Sequence, residues 1–70
     1  MSAGSIMKEM RKSKGESRAK MAELLGISPS AIYQYEVDMK RPRDDLKVRI
    51  AEHFGSSVQD IFFTDVTHNE

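Results

Sequence analysis

The chain has 70 residues, no cysteine, 31% charged residues and a formal net charge of zero. One small domain follows, near the lower limit for a self-sufficient core, with no disulfide and no thiolate metal site. No apolar run is long enough for a membrane span or a signal peptide, so no membrane partner is expected. A reducing, cytoplasmic setting suits the lack of cysteine. Zero net charge alone argues against nucleic acid, but its distribution does not. Residues 8–20 carry a net +4 and residues 40–49 a net +3, while residues 52–70 carry −4. A polyanion responds to such local patches rather than to the total. The alternative is that both basic runs are solvated helix faces.

Residues 1–5 are small and polar and read as a disordered end. Ile6 to Ser13 reads as a first helix with Met7 and Met10 on one face, stopped at Lys14-Gly15. Ser17 is a cap-type residue before the helical run RAKMAELL, and Gly26 ends that run. Ser28 opens a third helix, with Pro29 at the first position, where its missing N–H costs nothing. Only Gly26, Ile27 and Ser28 separate the two helices. So short a link forces a steep crossing, which is the geometry of a helix-turn-helix. Met21, Leu25, Ile27, Ile32 and Tyr35 form the apolar seam, and Ala22 faces the crossing point, where a larger side chain would push the helices apart. The opposite face of the third helix carries Ser30, Tyr33, Gln34 and Val37, with no internal partner evident.

A basic loop, VDMKRPR, follows, and Pro42 redirects the chain. A fourth helix is expected from about Asp44 to Phe54, with Asp44 and Asp45 suiting its dipole. Leu46, Ile50, Phe54 and Val48 are its candidate buried residues. Ser56 or Ser57 caps a fifth helix, VQDIFF, and residues 64–70 read as a polar tail. The fold class is therefore all-α, a five-helix bundle over residues 6–63. His53 and His68 lack partners at ligand spacing, and no serine or glycine motif supports catalysis or a cofactor.

The pieces MKEMRKSKG, MAELLGIS, SAIYQYE, the basic loop ending in Pro42, LKVRIAEHFG and VQDIFF together resemble the Cro and phage-repressor type of helix-turn-helix, the XRE family. The likeness covers about Ile6 to Phe62 in order and spacing, and it implies a lambda-repressor-like DNA-binding domain. It also implies a transcriptional regulator, often a repressor and a dimer on a palindromic operator in double-stranded DNA. Some members are antitoxins, so a protein-interaction module, such as an antitoxin or anti-regulator, is the alternative. The resemblance puts Pro29, Ser30, Tyr33 and Gln34 at or near base edges in the major groove. It puts Ser17, Arg18, Ser28, Lys40, Arg41 and Arg43 at phosphates; Arg18 also lies at a helix N-terminus, which favours anions. Glu36, at the end of the third helix, needs a cation, and Arg11 matches the family arginine that supplies it. Phe63 and Val66 are apolar surplus at the carboxyl end, where a dimer contact would bury them. Four departures stand out, the first being Arg18 in place of a common glutamine at the start of the second helix. Glu16 replaces a usual apolar residue and Asp44 a frequent leucine, which implies a smaller core. Val37-Asp38 replaces a common Asn-Gly turn.

Overall fold

Ser2 sets the start of the first helix in the computed structural model, which describes residues 2–63. Its backbone is extended, and its hydroxyl accepts the Ser5 N–H at 3.1 Å. Helix α1 therefore runs from Ala3 to Ser13. It begins before the expected Ile6, so Ser2 to Ser5 are a cap and a first turn rather than a disordered end. The reason is tertiary. Gly4 is a poor helix former in isolation, yet here it packs against the end of the third helix and donates its N–H to Asp38 at 3.0 Å.

The next two helices follow their caps. Ser17 accepts from the Lys20 N–H at 3.0 Å and opens α2, Arg18–Leu25. Gly26 ends α2 in the left-handed region, with φ 72°. The N–H groups of Gly26 and Ile27 close back on the carbonyls of Glu23 and Ala22. Ser28 accepts from the Ala31 N–H at 3.1 Å and opens α3, Pro29–Glu36. Helix α4 spans Asp44–His53, and α5 spans Val58–Phe62 behind the Ser57 cap. No strand occurs among the described residues.

Each helix contributes one large, fully buried side chain to a shared centre: Met7, Met21, Ile32, Ile50 and Ile61. Ala22, Leu25 and Ala51 complete the buried set, and Tyr35, Leu46, Phe54 and Phe62 pack around it. Helix α3 rests on α1 and α2, while α5 closes against α1 and α4. Val48 is 46% exposed, contrary to its expected place in the stripe, and Ala51 is buried instead. At 100° per residue, Val48 lies opposite Leu46 and Ile50, whereas Ala51 stays beside Ile50. Asp44 is fully exposed, so the position costs the core a side chain, as its identity implies.

Glu16 solves its position differently. Its carboxylate meets His53 Nε2 at 2.6 Å, with both side chains less than 10% exposed. A polar pair thus fills part of the space that an apolar residue would take. Arg49 makes a second long-range tie. Its Nη2 donates to the Leu25 carbonyl at 2.7 Å and satisfies an end of α2 that lacks an intrahelical donor. Arg49→Ala is expected to lower stability by about 1 kcal/mol, the net worth of one such bond when water can replace it. A urea midpoint shift with an unchanged slope would register it.

Candidate nucleic-acid interface

Helix α3 has two unlike sides. Ile32 and Glu36 are buried on one. Ser30, Tyr33, Gln34 and Val37 recur at the spacing of a single stripe and face away from Ile32. Pro29, Ser30 and Tyr33 are exposed, and Gln34 is half-buried. The four expected base readers therefore share the outer part of one short helix. In its first turn the Ala31 N–H is capped by Ser28 and Pro29 has none to offer, so the Ser30 N–H is the one left without a partner among the described residues.

The inner side of α3 is held by charge. Glu36 has no exposed side-chain surface. Arg11 Nε lies 2.7 Å from its Oε2, and Arg11 Nη2 lies 3.3 Å from Oε1. The planar fork of Arg11 thus grips both oxygens. Its third arm, Nη1, donates to the Glu16 carbonyl at 2.7 Å. Arg18 Nε also reaches Oε1 of Glu36, at 3.0 Å. The Arg18 guanidinium then lies 5.1 Å from the centre of the Tyr33 ring. Two guanidinium groups over one carboxylate leave the cluster with a formal charge of +1. The negative end of the α3 dipole points the same way, toward a cation.

Arg18 is therefore more than the expected phosphate side chain. It braces Glu36 and presses on Tyr33, a surface residue of the outer stripe. Its Nη groups make no hydrogen bond among the described residues and remain donors.

The loop after α3 turns its own acid away. Asp38 takes the left-handed region, with φ 62°, where a glycine is more usual. Asp tolerates this conformation better than most residues. Its carboxylate accepts the Gly4 N–H at the start of α1, where the helix dipole favours an anion. The N–H groups of Met39 and Lys40 return to the Gln34 carbonyl at 2.9 and 3.3 Å. That ties the loop to α3. Pro42 is buried and anchors the loop from below, while Lys40, Arg41 and Arg43 are exposed. None of these three forms an ion pair among the described residues. Ser17 and Ser28 use one oxygen lone pair each as caps, which leaves their hydroxyl protons available as donors.

Phe63 is 43% exposed, with Lys47 Nζ 5.7 Å from its ring centre. Val66 lies outside the described residues. Three pairings escape a reading of the sequence: Arg18 with Glu36, Asp38 with Gly4, and Glu16 with His53. Only the last left a signal, an acid at a usually apolar position.

The family described as helix-turn-helix matches residues 7–61 of this chain. A protein of Methanocaldococcus jannaschii, provisionally named an HTH-type transcriptional regulatory protein, is 43% identical over 49 residues. That stretch is 70% of this chain, and it spans 15% of the length of this curated relative. Among solved structures, the chain is similar to the P22 c2 repressor protein, determined in complex with synthetic operator 9T in the presence of Tl+. The TM-score is 0.85 at 19% identity, over 89% of this chain and 94% of that one. At that identity the likeness establishes the all-helical fold alone.

Proposed function

The chain belongs to the helix-turn-helix family, and on that footing we propose that it is a sequence-specific DNA-binding transcriptional regulator. It acts as a cytoplasmic repressor that occludes a promoter, and it has no catalytic role. One observation carries the reading: the outer stripe of α3 stands beside Lys40, Arg41 and Arg43, which form no ion pair among the described residues, while Glu36 and Asp38, the acids at the end of α3, are engaged elsewhere. Zero net charge is therefore no obstacle at this face. Pro29, Ser30, Tyr33 and Gln34 read the major groove, with Gln34 suited to an adenine edge. Ser17, Arg18, Ser28, Lys40, Arg41 and Arg43 hold phosphates on either side.

Selection of bound DNA from a random pool tests this directly, and a palindrome is the expected result. Gln34→Ala should then relax preference at one position per half-site, by ~1–3 kcal/mol, with little change in the salt slope. Arg41→Ala should weaken all sequences alike and shallow the plot of log affinity against log salt by ~0.9. Equal losses on selected and scrambled DNA for Gln34→Ala would remove its role as a base reader.

A palindrome calls for a homodimer. Phe63 and Val66 are the proposed contact, spacing two α3 helices about one DNA turn, ~34 Å, apart. Sedimentation should show a dimer at high protein concentration or on DNA, and a monomer under both conditions would remove the contact. The second reading, an antitoxin or anti-regulator that binds protein, is favoured by one feature. Tyr33, Val37 and Met39 expose apolar surface on and after α3. Under that reading the pool yields no salt-dependent winner.

A further inference from the structure

A recess opens on the molecule that none of the outer-stripe residues of α3 lines. It opens between the start of α1, the Asp38–Pro42 turn and the α4–α5 side, with a volume of about 350 Å³. This is the lower end of the range for small-molecule sites, ~300–1,000 Å³. Its apolar walls include Met7, Tyr35 and Phe62, and its cations are Lys40, Arg41 and Lys47. Asp38 is the one carboxylate among the lining residues, and its Oδ1 already accepts the Gly4 N–H at 3.0 Å. Lys47 sits at the junction of both characters. Its Nζ is 5.7 Å from the centre of the Phe62 ring and 3.6 Å from the fully exposed carboxylate of Asp44. That outer partner is hydrated and screened, and it holds Lys47 weakly.

We propose that this recess binds a small amphipathic carboxylate, an arylalkyl or short acyl acid of about ten heavy atoms. The apolar body lies on Met7, Tyr35 and Phe62, and the carboxylate sits among Lys40, Arg41 and Lys47. The match is one of charge and size: three cations face one occupied acid over an apolar floor. Two of those cations are also phosphate holders in the reading above. Occupancy therefore withdraws Lys40 and Arg41 from DNA, and the acid acts as an inducer. That regulatory half rests on the DNA-binding reading, whereas the binding half does not.

The test uses the full 70-residue chain, 15N-labelled and titrated with 3-phenylpropionate, 3-phenylpropan-1-ol and propionate. The first should give saturating amide shifts around Met7, Tyr35, Lys40 and Lys47, with a Kd on the order of 1 mM. The alcohol keeps the body and loses the charge, so it should bind about tenfold more weakly. Propionate keeps the charge and loses the body, so it should not saturate. Lys47→Gln should weaken phenylpropionate several-fold, Lys47→Arg should restore it, and both should hold DNA within about twofold, since Lys47 is not among the phosphate holders. Shifts that fail to saturate, that map elsewhere, or that are equal for acid and alcohol overturn the site. Saturating phenylpropionate should weaken the selected DNA at least about threefold. Unchanged DNA affinity with the recess occupied overturns the inducer role. A ligand-free chain that binds no DNA counts against the proposed function instead, and the amide shifts still decide the site.

Discussion

Arg11→Ala should cost about 3–5 kcal/mol of stability, because it strips a buried carboxylate of its main partner. Glu36 has no exposed side-chain surface and cannot recover the lost bonds from water. Arg18 remains at 3.0 Å, but it is 37% exposed and engages only one oxygen. The Glu16 carbonyl also loses the donor it has at 2.7 Å. A domain of this length holds about 4–10 kcal/mol in total, so the variant sits close to unfolding and its Tm should fall by at least ~12 °C. Arg18→Ala should cost far less, about 0.5–1 kcal/mol, since Arg11 keeps both oxygens of Glu36. Salt tells the two apart. The Arg11 loss should persist at high ionic strength, because buried pairs are poorly screened. The double change Arg11→Met with Glu36→Leu should recover most of the loss, since no buried charge is left alone. An Arg11→Ala protein with the urea midpoint of the parent would show that Glu36 is satisfied without it. Recovery by the double change would not rescue DNA binding in full if Arg18, freed from Glu36, no longer presses on Tyr33.

The order of elements was legible in the chain because their ends are chemical. Ser17, Ser28 and Ser57 cap, Pro29 enters and Gly26 leaves, and each acts within a few residues of itself. The outer stripe of α3 was legible for the same reason, since its members share one helical turn after another. Glu36's need for a cation follows from its place at a helix end, but its sharing between two arginines does not. Residues 18 and 36 meet only once α2 and α3 have crossed. The early start of α1 and the grip of Asp38 on Gly4 join residues 34 apart in sequence, and nothing local encodes them. Propensity misleads at Gly4, and size misleads at Val48. A valine weighs more than an alanine in any apolar pattern, yet the helix turns Ala51 inward and Val48 out.

Gly4→Ala should destabilise the domain by about 3 kcal/mol, against the trend for a glycine inside a helix. By propensity alone alanine gains ~1 kcal/mol there, part of it by restricting the unfolded chain. The backbone of Gly4 is ordinary helix, so left-handed strain is not at issue. The obstacle is space. A Cβ on Gly4 would stand 2.5 Å from the Glu36 carbonyl oxygen, 2.6 Å from that of Tyr35 and 2.7 Å from Asp38 Oδ1. Two of these atoms are backbone at the end of α3 and cannot swing aside as a side chain would. Relief requires α1 to lift from α3, which breaks the Gly4–Asp38 bond and shifts the loop bearing Lys40 and Arg41. Affinity for a selected DNA site should fall with stability, although Gly4 is buried under the end of α3 and is not one of the proposed base readers. Ser5→Ala is the control. It keeps the Ser2 hydroxyl on the Ser5 N–H, gives up the part-buried 3.0 Å hydrogen bond that Ser2 Oγ donates to Ser5 Oγ, gains in helix propensity, and should stay within about 1 kcal/mol of the parent. Urea unfolding of the two variants decides the matter. A Gly4→Ala protein as stable as Ser5→Ala, or more so, would mean that α1 does not seat on the end of α3 at this distance.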